Sequence, residues 1–573
     1  YFADTSNIVA WQLDNEPGYP FICFDENCQC AFQNWLKERY GSLESLNQAW
    51  NTSFWSHRYS DWTQIEIPVN GADGRSWHPG IRLDYRRFFS SSFSSYLRRQ
   101  AHILKSHIPT CRIFTNWPNT FWSIDVFEAA DDFLDATAWD NYNDAPGISD
   151  YRNQFHSALH HDLCRCAGPH QRFLIAEQAS QVPAVANNDG IYLQTYLDLA
   201  HGSGGTIFFQ WRAPIGGQEQ GYISVLQMDG SYGPAKNQYV RLTSEFAILA
   251  PKLAETRIES EVALIYDYPS SWNKGFWKQN RCWAKAESWT VPIYESGDGY
   301  DSVALKWYKG MKRLNANLDV IPLNRELSSY KMIVAPCLEV ISDSDAEALL
   351  KYVEKGGVLV INTGAGTRLP DNRLREMVSP GIFGEAAGLR VERTVNRTAM
   401  AGNLIHGLPD ETGVVGYKID LNGQHFEPAS TIDEIIANDV EILASLSGGR
   451  LEGKPAVTLN SYGKGTVVFA GVDCNDVTFY EELCEIIGKR AGVSPILDVP
   501  TGCSIVSRVD SEQEFLFLIN LLDKEQTLVI PEEMKDAITD ELLSGKMVLP
   551  PLHTRVLERP RLNETDFSSI DLL

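Results

Sequence analysis

The sequence predicts an α/β protein of several domains that opens on a buried parallel sheet. Two observations carry that expectation. Within residues 1–250, the stretches IVAWQLDNE (8–16), RIFTNW (112–117), LDATAWDNY (134–142), FLIAEQA (173–179) and GTIFFQW (205–211) are apolar through their length and turn polar at their C-terminal ends. Near-continuous apolar runs suit parallel strands covered on both faces. Between them lie helical stretches, with apolar periodicity through 82–107 and YLQTYLDLAHG (192–202) closing on a glycine stop. Strands alternating with helices at this scale give a β/α architecture. Polar residues gathered at strand C-termini are where an α/β barrel builds its site. A closed barrel takes eight strands, so the strands visible here imply either an open sheet or further strands ahead of Tyr1.

The later elements follow in order. A chain of 573 residues exceeds what one core supports, and its length suggests about three or four domains. We place the first at 1–255, a second α/β domain at 256–497 and a small antiparallel β domain at 498–573. In the second, VALIYDY (262–268), VLVINTGAG (358–366) and GKGTVVFAGVD (463–473) are strand-like. SDSDAEALLKYVEKGG (342–357) is a helix capped by Ser342 or Ser344 and stopped by Gly356-Gly357. Its Gly-rich turns lack the Lys-Ser/Thr or GxGxxG of a phosphate cradle, so tight turning is the expected role of the glycines. The last domain reads as short strands, SIVSRV, EFLFLINL, TLVIP and TRVLE, before a polar tail from Arg559.

Composition narrows the partners. A formal net charge of −24 repels nucleic acid and acidic membrane surfaces, so neither is an expected partner, whereas a neutral sugar does not feel that field. Eleven cysteines, odd in number and irregular in spacing, do not form a disulfide framework and suit a reducing cytoplasm. No run of 18 apolar residues suggests a membrane span.

Two strand ends carry carboxylates. Asp14-Asn15-Glu16-Pro17-Gly18 puts Glu16 where Pro and Gly break a strand, at the rim of the sheet. Asn15 beside it can hydrogen-bond a sugar hydroxyl. Ala176-Glu177 delivers a second carboxylate on an apolar strand, where a buried charge needs a reason. Singly, each is as well explained by helix capping or a core ion pair. Together they match glycoside hydrolysis, which uses one protonated and one ionised carboxyl. Thr115-Asn116-Trp117, Trp139-Asp140-Asn141-Tyr142 and Gln210-Trp211-Arg212 sit at neighbouring strand ends. Of these, Tyr142 is placed to orient the nucleophile and Trp211 to form a sugar platform, with barrel packing as the competing role for either ring.

WQLDNEPGY (11–19), AFQNWLKERYGSLESLNQAWNTSFWS (31–56), LDYRRF (83–88), AWDNY (138–142), AEQAS (176–180), AHGSGGTIFFQWR (200–212) and VALIYDYPSSW (262–272) occur in one order and spacing. In that combination the chain resembles glycoside hydrolase family 42. The resemblance implies a (β/α)8 TIM barrel with its first strands ahead of Tyr1, then a Rossmann-like trimerisation domain and a small β-sandwich. It also implies retaining β-galactosidase activity without a cofactor, and a homotrimer. Glu16 would be the acid/base after strand four and Glu177 the nucleophile after strand seven. Expressed alone, such a truncated barrel is expected to expose strand edges and to aggregate.

Two stretches depart from the family. Glu219 matches a sugar-contacting Glu, but Tyr222 stands where His is usual, and the loop 180–190 lacks the usual Trp. These changes keep an α-L-arabinopyranoside or β-fucoside in play as substrate. A carbohydrate-binding protein that has lost catalysis is disfavoured because both Glu16 and Glu177 are kept. Some members bind zinc through a cysteine cluster. Cys23 and Cys28 fit two of its positions, Asp25 replaces the third, and a further cysteine would come from outside the chain. A closed zinc site takes four ligands, so no metal is expected.

Overall fold

Five parallel strands lie side by side in chain order. They are β1 (Trp11–Gln12), β2 (Ile113–Trp117), β3 (Ala136–Asn141), β4 (Phe173–Ala179) and β5 (Ser203–Phe209). The structure is a computed structural model that describes residues 7–18, 23–68, 78–118, 120, 124–130, 133–142, 150–168, 171–180, 190–279, 299–396, 414 and 416–561. The expected half of a barrel is therefore present, with every strand pairing in parallel. Most of the loop 180–190 falls outside the described residues.

The helices of this region are α1 (Glu26–Tyr40), α2 (Leu43–Ala49), α3 (Pro79–His107), α4 (Val126–Ala130), α5 (Gln154–Ala167), α6 (Gly190–Ala200) and α7 (Lys236–Leu253). Of these, α1 and α2 pack on α3 in a cluster of their own, and α3 to α7 share the core of the sheet. Pro79 starts α3, where its missing N–H costs nothing. Every residue of α5 except His156 is buried, because the helix lies between the first sheet and the second domain.

Two strand ends differ from the sequence reading. β1 is two residues long and does not run to Glu16. Its only strand partner among the described residues is β2. After Gln12 the backbone turns through positive φ at Asp14 (56°) and Glu16 (45°), a conformation that ends a strand. β5 stops at Phe209, so Trp211 lies beyond it in an irregular segment.

The second domain is built on a nine-stranded mixed sheet. Its parallel half holds β6 (Val262–Ile265), β7 (Leu318–Ile321), β8 (Met332–Ala335) and β9 (Val358–Asn362), with Gly465–Ala470 beside β9. Antiparallel strands extend it on the far side of Gly465–Ala470. The helix Asp343–Glu354 is capped by Ser342, which accepts from Asp345 N, as the sequence suggested. The C-terminal domain is antiparallel throughout, with five strands from Cys503–Val509 to Thr554–Pro560. The strand Leu542–Leu549 was not read from the sequence; its alternate residues are exposed, so its apolar pattern is diluted.

Buried polar contacts join the three parts. Arg165 of α5 donates to Asp162 at 3.0 Å, to Asp319 of β7 at 2.9 Å and to Leu318 O at 2.7 Å. Arg152 forms a two-pronged pair with Glu481 at 2.7 and 2.9 Å. Arg508 reaches from the C-terminal domain to Leu199 O, Leu253 O and Thr256 Oγ1. No helix among the described residues is long and apolar enough to cross a membrane.

Candidate active site

The C-terminal ends of β1 to β4 converge on three carboxylates. One oxygen each of Glu16, Asp140 and Glu177 lie within 4.8 Å of one another. Glu177 sits inside β4 rather than at its end. A register shift between β3 and β4 sets it opposite Asp140. Glu16 arrives from the turn after β1.

An amide network holds the turn in place. Gln12 Nε2 donates to Asp14 O (3.0 Å), Asn15 Oδ1 (3.2 Å) and Asn116 Oδ1 (2.8 Å). Asn116, buried at the end of β2, accepts from Glu16 N at 3.1 Å. Its Nδ2 donates to Asn15 Oδ1 at 3.1 Å and to Asp140 Oδ2 at 2.7 Å. The strained φ at Glu16 is thus held by a side chain from the neighbouring strand end, which fits a functional position. Asn15 is exposed beside Glu16, open to a ligand.

Tyr142 donates to Glu177 Oε2 at 2.5 Å. Burial and that hydrogen bond raise the phenol's pKa, so it stays a donor. The pKa of Glu16 is raised, first by burial and then by the charge of Glu177; Asp140's hydrogen bond opposes this and Glu219's charge adds to it. A carboxyl whose pKa is raised by burial and a neighbouring carboxylate is suited to the part of the acid.

The remaining predicted residues divide. Glu219 lies close enough to act on Glu16 electrostatically, and Tyr222 acts likewise on Tyr142. The Tyr222 ring meets Phe209 edge-on at 5.8 Å. Trp211 is 64% exposed and no hydrogen bond or ring contact ties it to the carboxylates. Sequence reasoning gave no role to Asp140, Asn116 or Gln12. Their signal was available: Asn116 and Asp140 both end apolar strands.

The cysteine group is separate. Cys23 and Cys28 sulfurs are 2.6 Å apart, with an Asp25 oxygen in the same 4.8 Å group. Zn–S bonds of about 2.3 Å in a tetrahedron would hold two sulfurs about 3.8 Å apart. Asp25 is already engaged as the cap of α1, accepting from Cys28 N at 2.7 Å. Burial and the Cys23 contact push the Cys28 thiol up to about 12. Among the described residues the group stops at these three donors, one short of a closed zinc site, so the donors do not fit.

A parallel sheet whose strand ends gather a carboxylate pair, one of them oriented by a tyrosine, defines a glycosidase of the α/β-barrel class. Three family models match the chain: "Beta-galactosidase" over residues 1–247, "Beta-galactosidase trimerisation domain" over 260–494, and "Beta-galactosidase C-terminal domain" over 502–559. The chain belongs to glycoside hydrolase family 42, the β-galactosidase family. It is 30% identical over 559 residues to β-galactosidase LacZ of Heyndrickxia coagulans, covering 96% of this chain and 78% of that protein. It is 28% identical over 567 residues to β-galactosidase BgaA of Planococcus sp. (strain 'SOS Orange'), covering 96% and 78%. The crystal structure of β-galactosidase from Bacillus circulans sp. alkalophilus superposes with a TM-score of 0.84 at 27% identity, covering 97% of this chain and 80% of that one.

Proposed function

We propose that this β-galactosidase-family enzyme cleaves terminal non-reducing β-D-galactosides by double displacement. Glu177 is the nucleophile, Glu16 the acid/base, and no cofactor takes part. The observation that carries this is the approach of Glu16 and Glu177 oxygens to within 4.8 Å. Retaining enzymes hold their carboxyls about 5–5.5 Å apart, while inverting enzymes need about 6.5–9.5 Å to admit a water.

Glu177 attacks the anomeric carbon from one face while Glu16 protonates the departing glycosidic oxygen. The galactosyl ester on Glu177 is then opened by water, whose proton Glu16 takes. Two inversions give net retention. Tyr142 holds Glu177 Oε2, leaving its other oxygen to attack. Asn15 bonds the 2-hydroxyl, where contacts strengthen in the transition state. Glu219 bonds further sugar hydroxyls, and Trp211 is the platform over which an outer sugar stacks. Tyr222 is longer than a histidine and carries no cation at working pH, so it supports a second reading in which an α-L-arabinopyranoside is preferred.

The match over 260–494 to a trimerisation domain supports a homotrimer, and sedimentation of the active enzyme checks it. The function is tested on a panel of chromogenic glycosides with the product anomer followed by NMR. β-Galactose released first from β-galactoside is expected; α-galactose would overturn retention. Preference for arabinopyranoside, reversed towards galactoside by Tyr222→His, would establish the second reading.

A further inference from the structure

Glycoside hydrolysis needs two carboxyls, yet three meet here. Asp140 is 2% exposed, and its oxygens have different surroundings. Oδ2 accepts from Asn116 Nδ2 at 2.7 Å. Oδ1 is buried without a donor among the described residues, and the Asp140 carboxyl interacts with that of Glu16, one oxygen of each lying within 4.8 Å of the other. Two carboxylate oxygens are both acceptors, so that contact is repulsive unless a proton lies between them. Among the described residues, the groups that act on Asp140 are Asn116 from β2, Glu16 from the turn after β1, Glu177 from β4, Tyr142 from the end of β3 and Cys164 from α5. None of these brings a positive charge.

We propose that Asp140 is a positioning residue which keeps a proton through the whole cycle and donates it from Oδ1 to one oxygen of Glu16. The other Glu16 oxygen is then left for the glycosidic oxygen and, later, the water. The proposal rests on the assignment of Glu16 and Glu177 above. Burial, followed by the charges of Glu177 and Glu16, pushes Asp140 up to about 9, consistent with a neutral acid at working pH. Asn116 fixes the direction: its N–H occupies Oδ2, so the proton belongs on Oδ1. The same amide accepts from Glu16 N, tying donor and acceptor to one support.

Asp140 surrenders no proton, and the proton balance of the reaction is unchanged. In the first step Glu16 carries its own proton on the substrate-facing oxygen. Once that proton has gone to the leaving group, Glu16 is an anion and the Asp140 hydrogen bond becomes charge-assisted and stronger. The base form of Glu16 is thereby stabilised in the step that uses it.

The test compares Asp140→Ala with Asp140→Asn in the enzyme. An activated aryl galactoside makes opening of the galactosyl ester limiting. Loss of a hydrogen bond to a charged group should lower kcat of Asp140→Ala about 10–100-fold. Without the donor the Glu16 pKa rises, so the acid limb of kcat should move up by about one pH unit, a tenfold change in ionisation. Asparagine can accept from Asn116 and donate to Glu16, so Asp140→Asn should recover most of the loss and return the limb to its place. A loss in Asp140→Asn as deep as in Asp140→Ala would mean that Asp140 acts through charge, overturning the proposal. An unmoved limb in Asp140→Ala would reduce the residue to packing. Activity abolished by a chelator and restored by magnesium or calcium would put a cation where we put the proton. If the catalytic pair itself were misassigned, Glu177→Ala would stay active whatever the Asp140 variants did.

Discussion

Asp140 and Asp162 are equally buried, each 2% exposed, and the molecule treats them in opposite ways. Asp162, on α5 behind the sheet, meets Arg165 NH2 at 3.0 Å, His201 Nδ1 at 2.8 Å and Tyr308 OH at 2.5 Å. Burial works to raise its pKa, but His201 and Arg165 overcome that and hold it below the usual carboxylate range. Asp140, at the open ends of the strands, is surrounded by other acids and is pushed up. A buried acid that serves architecture is given a cation, and one that serves chemistry is given acidic neighbours. The same cost of burying charge yields a locked ion pair in one place and a titratable group in the other.

The largest expected effect lies on the chemical side. Glu177→Ala should cost on the order of 10⁴-fold or more in kcat, with azide restoring turnover and giving the inverted α-galactosyl azide; activity near wild type would end the assignment. Glu16→Ala should cost about 10²–10⁴-fold on substrates with poor leaving groups and far less on 2,4-dinitrophenyl galactoside, with azide giving the β-anomer. Equal losses on both substrates would deny Glu16 the acid role. On the architectural side, Arg165→Met strips Asp162 and Asp319 of their cation and should destabilise by about 3–5 kcal/mol, read as a lower melting temperature. Tyr142→Phe removes one hydrogen bond to a charged carboxylate and should lower kcat about 10–100-fold while leaving the melting temperature close to wild type.

A last effect sharpens the contrast through pH. Asp140 has a folded pKa raised above its unfolded value of 3.8 to about 9. The folded state therefore binds the extra proton in that window, and stability falls as pH rises through it. For Asp162 the folded pKa is depressed, so its stabilisation is present above the unfolded pKa and disappears as pH falls through the folded one. Asp140→Asn should thus gain stability over wild type as pH rises from 5 to 9, by up to about 1.4 kcal/mol per pH unit; a gain independent of pH would show that Asp140 keeps an ordinary pKa.

Much of the site was legible because chemistry and fold left the same mark. Glu16 and Glu177 close apolar runs of the sequence and Tyr142 follows one, so a linear reading picked out all three as candidates. Their closeness was not legible, since it depends on the β3–β4 register shift that brings Glu177 opposite Asp140. Asp140 itself went without a role because one acid before Asn-Tyr reads as an ordinary strand end. Its meaning comes from Asn116, 24 residues away along the chain. The strand read through Glu16 was too long because apolar character persists into Leu13, whereas the turn is made by Gln12 side-chain hydrogen bonds to Asp14 and Asn116. The Cys23–Cys28 spacing was visible, but the cap made by Asp25 was not.

Arg508 has a consequence for how the molecule comes apart. Leu199 and Leu253 lie in the last turns of α6 and α7, where their carbonyls accept from Gly202 N and Thr256 N in the turns that follow. A single guanidinium from the C-terminal sheet adds a charged donor to both, at 2.7 and 3.1 Å, where the negative ends of two helix dipoles meet. Peeling that sheet away would take the charged donor from both helix ends at once. Calorimetry should therefore record one shared melting transition, and Arg508→Ala should split it, freeing the terminal module to unfold ahead of the rest.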